Sequence, residues 1–387
     1  MTVETRPRTF ADRLAPDGPK RLLALDGGGI LGVLSLEFLD RIEDTLRREL
    51  GRGDDFVLAD YFDYIAGTST GAIIATCLAL GMPVAKVRHF YHQHGREMFD
   101  KDWLFRRFRH RYGNENLERM LKNEIRAQTG QEEATLGTDR FRSLLMVVLR
   151  NATTDSPWPL SNNPRALFND PVRPDCNLRL PLWQLVRAST AAPTYFPPEV
   201  VEVGDREFVF VDGSVTVFNN PAFQLFLMAT VDAYRLNWHA GEDRMLLVSI
   251  GTGAAPDANA YLRPGEMNLL YNATSIPSAL MAAANAQQDM LCRVFGRCRH
   301  GAPIDLELAA LLEPGGGGPV GPERLFTYAR YNVDLTQAGL DALGLARIRA
   351  ADVQRMDSVD HIAELAEIGR AAAVRDVEAG HFRGFLA

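Results

Sequence analysis

Apolar residues fall along this chain in two rhythms that take turns. "RLLAL" (21–25) is a short continuous apolar run of the length of a buried strand. Directly after it, Leu34, Phe38, Ile42, Leu46 and Leu50 recur every four residues with charges between them, the spacing of an amphipathic helix. The alternation continues downstream. "DYIAG" (63–67) predicts a strand that runs into helical material at 72–80, and a further helix is predicted over 83–98 behind Pro83. "LLMVVLR" (144–150), "EFVFVD" (207–212) and "MLLVSI" (245–250) are apolar runs of strand length, and "LFTYARYNV" (325–333) alternates as a strand does. Helical periodicity returns over 278–295, with Met281, Met290 and Leu291 at expected core positions, and over 357–379. Strand and helix in turn predict an α/β layered fold around a largely parallel sheet. "EPGGGGPVGPE" (313–323) is a flexible surface insertion by composition.

Composition narrows this picture. A chain of 387 residues that is 46% hydrophobic can bury a large core. A net charge of −7 argues against nucleic acid as a partner. Four cysteines (Cys77, Cys176, Cys292 and Cys298) are too sparse for a disulfide scaffold. The opening "MTVETRPRTFADRL" is polar and lacks the apolar core of a signal peptide, and no run of 18 apolar residues exists. These features predict a soluble, cytoplasmic protein. Residues 1–19 read as an N-terminal extension to one domain over 20–387.

The candidate chemistry begins at "LDGGGILG" (25–32), where three glycines follow an aspartate and a fourth comes three residues later. Glycine amides carry no side chain to block an approaching group, so Gly28 N and Gly29 N are candidate donors to an oxyanion. Gly27, Gly29 and Gly32 also fit the dinucleotide fingerprint G-x-G-x-x-G, with Asp54 roughly where a ribose-binding acid stands. The residues leading to Asp54, "RRELGRGDD", are not a second strand ending in an acid, which counts against that reading.

"GTSTG", Gly67 to Gly71, matches G-x-S-x-G and sits between a predicted strand and a predicted helix. Such a turn presents the hydroxyl of Ser69 at the start of a helix, whose positive dipole end lies beneath it. A serine nucleophile needs a base. A conventional triad would draw a histidine from His239, His300, His361 and His381, none of which sits in a small-residue turn after an apolar run. Asp212, at the end of "EFVFV" and followed by Gly213 and Ser214, is the alternative: a carboxylate at a strand end beside a glycine can be aimed into a cleft. An ordinary Asp-Gly turn has the same spelling.

Taken together, "DGGGILG", "GTSTG" and "DGS", in this order, resemble the three signature blocks of patatin-like phospholipases. "ASTAAPTYFPP" (188–198) resembles that family's segment ahead of the Asp-Gly block, and "SIGTG" (249–253) its later strand and turn. The resemblance covers residues 20 to 255. It implies a three-layer α/β fold with helices on both faces of the sheet. It implies hydrolysis of lipid acyl esters by a phospholipase A-type or lysophospholipase activity. Ser69 would be the nucleophile and Asp212 the base, with no histidine, and Gly28 and Gly29 the oxyanion donors. A covalent acyl-enzyme would form, water activated by Asp212 would hydrolyse it, and no metal or other cofactor would be required. Gly27, Gly32, Gly67, Gly71 and Gly213 would support the motifs. The expected partner is a phospholipid or other lipid ester, met by peripheral contact with a membrane. Leu31 stands where the family often has Arg or Lys, and Ser214 where Gly or Ala is usual. A histidine-dependent serine hydrolase or acyltransferase, and a non-catalytic storage or binding relative, are the alternatives.

Two further stretches carry weaker signals. "MFDKDWLFRRFRHRYG" (98–113) interleaves aromatic and basic residues, as a lid or an anionic-membrane contact would, although a helix burying one aromatic face reads the same way. "CRVFGRCRH" (292–300) offers two cysteines and a histidine, but zinc needs a fourth ligand and better spacing.

Overall fold

The computed structural model describes residues 8–99, 115–193, 196–255, 269–304 and 323–386. The strands are β1 (Lys20–Leu25), β2 (Tyr64–Thr68), β3 (Leu144–Asn151), β4 (Ser156–Ser161), β5 (Glu199–Val203), β6 (Arg206–Asp212), β7 (Met245–Ile250), β8 (Gly296–His300) and β9 (Phe326–Tyr331). They form one sheet in the order β5-β6-β3-β2-β1-β7-β9-β8, with β4 paired to β3 off this path. The run from β3 to β8 is parallel, whereas β4 and β6 pair with β3, and β5 with β6, in antiparallel fashion.

The central strands are apolar on both faces, and the alternation of side chains across a strand sorts them into two cores. Leu23, Leu25, Ile65, Leu145, Val147, Leu246 and Val248 enter the larger core. Their neighbours Leu22, Ala24, Tyr64, Ala66, Met146 and Leu247 enter the other. The larger core is covered by α2 (Gly32–Glu49), α3 (Leu58–Tyr61), α4 (Thr70–Ala79), α5 (Val84–Phe99), α6 (Glu115–Thr129), α7 (Leu182–Ser189) and the C-terminal helices α10 (Gln337–Ala342), α11 (Ala350–Val353) and α12 (Ile362–Asp376). The smaller core is covered by α8 (Ala222–Thr230) and the end of α9 (Leu269–Phe295). The fold is thus the expected three-layer α/β arrangement. Leu34, Phe38, Ile42 and Leu46 are fully buried along α2, as their spacing predicts.

Four expectations need correction or placement. Met290 is 37% exposed on α9, and Met281 and Leu291 are only partly buried, so these are not core positions. The helix lies over the edge of the sheet and buries Ala284, Gln288 and Cys292 instead. Most of the aromatic-basic stretch 98–113 and of the glycine-rich stretch 313–323 lies outside the described residues. The described part of the N-terminal extension, with α1 (Phe10–Leu14), folds against the base of the sheet. There the buried Arg13 donates to Asp63 Oδ1 at 2.9 Å and to the Phe62 carbonyl at 2.9 Å.

Candidate active site

The parallel strands β1 and β2 end side by side, Leu25 in register with Gly67. The two glycine-bearing motifs therefore emerge together at the carboxyl end of the sheet, where open α/β sheets place their sites. Ser69 joins β2 to α4 with φ 54° and ψ −123°, a conformation that strains any residue with a Cβ. Packing imposes that strain. A Cβ at Gly71 would stand 2.4 Å from the Leu25 carbonyl oxygen, and one at Gly67 would stand 2.0 Å from the Gly71 carbonyl oxygen. Only glycine at both positions lets the turn fold this tightly against β1. Gly32 packs on Thr70 in the same way, and Gly213 on the Val148 carbonyl.

The turn is also braced. Ser69 N donates to Ser189 Oγ at 3.0 Å, and Ser189 Oγ donates to the Val148 carbonyl at 2.7 Å. Ser189 belongs to the "ASTAAPTYFPP" segment, whose next small residue, Ala191, accepts Asp212 N at 3.0 Å. One segment thus holds the backbone of both Ser69 and Asp212.

Ser69 Oγ donates to Asp212 Oδ2 at 2.6 Å, and Asp212 Oδ1 accepts Ser214 N at 2.7 Å. Both residues are buried, Asp212 almost completely. Burial pushes the Asp212 carboxyl up to about 6, against the hydrogen bonds from Ser69 and Ser214, which pull it down. A carboxylate so placed is a stronger base than one in water and lies within reach of the proton it would accept.

The glycine loop lies against this pair: a Cβ at Gly27 would stand 3.3 Å from Ser69 Cβ. Gly27 N donates to the Asn219 carbonyl at 3.1 Å, and the Gly27 carbonyl accepts Thr252 Oγ1 at 2.9 Å. Ile30 N donates to the Met356 carbonyl at 3.0 Å and Leu31 N to the Gly28 carbonyl at 3.2 Å. Between these anchored amides, Gly28 N and Gly29 N form no hydrogen bond among the described residues. Gly29 takes φ 59°, and a Cβ there would stand 2.4 Å from the Met356 carbonyl oxygen, which leaves no room for a side chain. Leu31 is 5% exposed and packs into the larger core, not into the site.

Among the described residues no histidine hydrogen-bonds to Ser69 or Asp212. His239 is exposed near Asp17, and His361 faces Glu364. His300 stacks on Tyr331 and on His381, whose Nδ1 meets Tyr331 Oη at 2.8 Å. Cys298 Sγ donates to the His300 carbonyl at 3.4 Å, and Cys292 is a buried free thiol.

Residues 23–226 match the family model described as patatin-like phospholipase. The chain belongs to the patatin-like phospholipase family. It is 30% identical over 241 residues to the intracellular phospholipase A2 of Caenorhabditis elegans, an overlap of 61% of this chain and 20% of that protein. It is 29% identical over 258 residues to Patatin-17 of Solanum cardiophyllum, covering 61% of each chain. The chain thus spans less than two thirds of the length of these relatives. All three signature blocks lie inside the matched segment. No described helix is long and apolar enough to cross a membrane.

Sequence reasoning missed the supporting residues. Ser189 and Thr252 lie in stretches that resemble the family, but nothing local marks them as braces. Asn219 carries no signal at all. Arg330 does: it is a charge at a position where the strand pattern calls for an inward residue.

Proposed function

We propose that this patatin-like protein is a lipid acyl hydrolase that cleaves phospholipid or related lipid esters through a Ser69–Asp212 dyad. Ser69 Oγ attacks the ester carbonyl as Asp212 takes its proton. The amides of Gly28 and Gly29 receive the charge that develops on the carbonyl oxygen. Collapse of the tetrahedral intermediate releases the alcohol or lysophospholipid, which takes the proton back from Asp212, and leaves an acyl ester on Ser69. Water then attacks that ester with Asp212 again as base, giving the fatty acid and free Ser69. Every step is assigned to groups of the chain itself. The substrate is met at a lipid surface by peripheral contact.

The observation that carries this reading is the 2.6 Å hydrogen bond between a serine on a strained strand-to-helix turn and a buried carboxylate. The test is Ser69→Ala. It should fold as wild type and lose ester hydrolysis by several powers of ten, since nucleophile and base act as a unit. A fluorophosphonate should label the wild type at Ser69. Labelling at another serine, or full activity in Ser69→Ala, overturns the assignment.

A further inference from the structure

Ala24 on β1, Ser249 on β7 and Arg330 on β9 lie in one line across the sheet. Asp26, two residues beyond Ala24, extends from the same face. Arg330 reaches over β7 to it. Its Nη1 donates to Asp26 Oδ1 at 2.8 Å and to Ser249 Oγ at 2.7 Å, and its Nη2 donates to Asp26 Oδ2 at 2.5 Å. Asp26 is 1% exposed and Arg330 6%. Burial opposes charge on both partners and pushes the Asp26 carboxyl up against the pull of Arg330, while the attraction and hydrogen bonds of Asp26 hold the Arg330 guanidinium protonated.

A buried ion pair is an expensive way to hold two strands together. Desolvation costs several kcal/mol per ion, and apolar residues of the same volume serve stability as well or better. What the forked pair supplies is orientation, because two parallel N–H···O bonds fix a carboxylate in position and angle. Here the fixed carboxylate belongs to the residue that opens the glycine loop. On the far side of the loop, Ile30 N is tied to the Met356 carbonyl. The two unbonded amides lie between these anchors.

We propose that Arg330 is a positioning residue: by clamping Asp26 it holds the glycine loop in the shape that presents Gly28 N and Gly29 N to the acyl oxyanion. This rests on the hydrolase reading above. It also gives the chain beyond the matched segment 23–226 a part in shaping this loop, since Arg330, Met356 and Thr252 lie there, whereas Asn219, which accepts Gly27 N, lies inside it.

The test uses two variants of the full chain. Arg330→Met alone would strand a buried carboxylate and risks unfolding, so the charge is removed from both partners in Asp26→Asn/Arg330→Met. Arg330→Lys keeps the charge and loses the fork. Each is checked by circular dichroism and assayed on a soluble p-nitrophenyl ester. Each is then titrated with an alkyl trifluoromethyl ketone, to whose carbonyl Ser69 adds reversibly to form an oxyanion. The double variant should lose on the order of 10²-fold in kcat, the effect of a misplacement of about 1 Å, with KM within about threefold. Ketone affinity should fall in parallel with kcat/KM, and Arg330→Lys should lie between. The acid limb of the pH profile should not move, because neither Asp26 nor Arg330 is among the groups that shift Asp212. A folded double variant with kcat within threefold of wild type, or one that loses kcat but keeps ketone affinity, overturns the clamp. If the double variant does not fold, Arg330→Lys with unchanged kcat overturns it alone. A wild-type protein with neither ester turnover nor ketone binding would instead overturn the hydrolase reading, and the clamp with it.

Discussion

Ser189 stands 120 residues from Ser69, yet its hydroxyl joins the Ser69 amide to the Val148 carbonyl through two hydrogen bonds. The turn that carries the candidate nucleophile therefore draws its support from α7 and β3 as well as from its own glycines. Ser189→Ala removes the acceptor of a buried N–H and the donor to a buried carbonyl. Each unsatisfied group costs about 1–3 kcal/mol. Because the lost bonds hold a strained backbone, kcat on a soluble ester should fall roughly tenfold or more while KM stays close to wild type. A Ser189→Ala protein that melts lower but turns over at the wild-type rate would show that the brace serves the fold alone.

In the proposed dyad, Asp212 links activity to pH. Its carboxyl is pushed up to about 6 by burial, and it must be deprotonated to accept the Ser69 proton. Then kcat/KM should rise with pH through about 6 and level off above it, with no separate imidazole step. A midpoint near 4 would contradict a buried base.

The same shift acts on stability. The folded pKa lies above the unfolded value of about 3.9, so the native state holds this proton more tightly. The contribution is present in full below pH about 4 and is lost as pH rises through about 6, leaving a cost of roughly 3 kcal/mol at neutral pH. Asp212→Asn should therefore be nearly inactive, yet melt no lower than wild type at pH 7.5. That relative gain should vanish at pH 4. A variant that melts far below wild type at pH 7.5 would mean that the carboxylate stabilises the fold.

The histidines separate the dyad from a triad. His239 is exposed, His361 faces Glu364, His300 stacks on Tyr331, and His381 Nδ1 meets Tyr331 Oη. Replacing each singly with Gln should leave kcat within about tenfold of wild type, since loss of a true general base costs 10²–10⁴. One folded histidine variant as inactive as Ser69→Ala would make the dyad wrong.

Much of the fold was legible because its signals are local. The parallel strands β1, β2, β3 and β7 are short apolar runs, β9 alternates, and α2 repeats every four residues. The strands that escaped, β4, β5 and β8, all lie at edges of the sheet. An edge strand buries less and shows a weaker pattern. "SPWPLS" even contains Pro157 and Pro159, which β4 tolerates because residues two apart turn their missing N–H groups away from β3. "GRCRH" and "EVVEV" carry no inward alternation strong enough to distinguish them from loop.

The candidate site divides along the same line. The sequence by itself determined the turn geometry: glycines at 67 and 71 around Ser69, the glycine run after β1, and an aspartate at a strand end. These depend on backbone conformation and close approach within a few residues, which residue type dictates. Only the tertiary structure decided that Asp212 closes to 2.6 Å of Ser69, that Ser189 braces it, that Leu31 turns into the core, and that Arg330 reaches Asp26 across 304 residues of chain. Those pairings follow from the strand order β6-β3-β2-β1-β7-β9, in which distant segments become neighbours by burying apolar strands on both faces. The hydrophobic driving force for that assembly is non-directional. The register of the strands turns it into specific contacts, and no local pattern records that register.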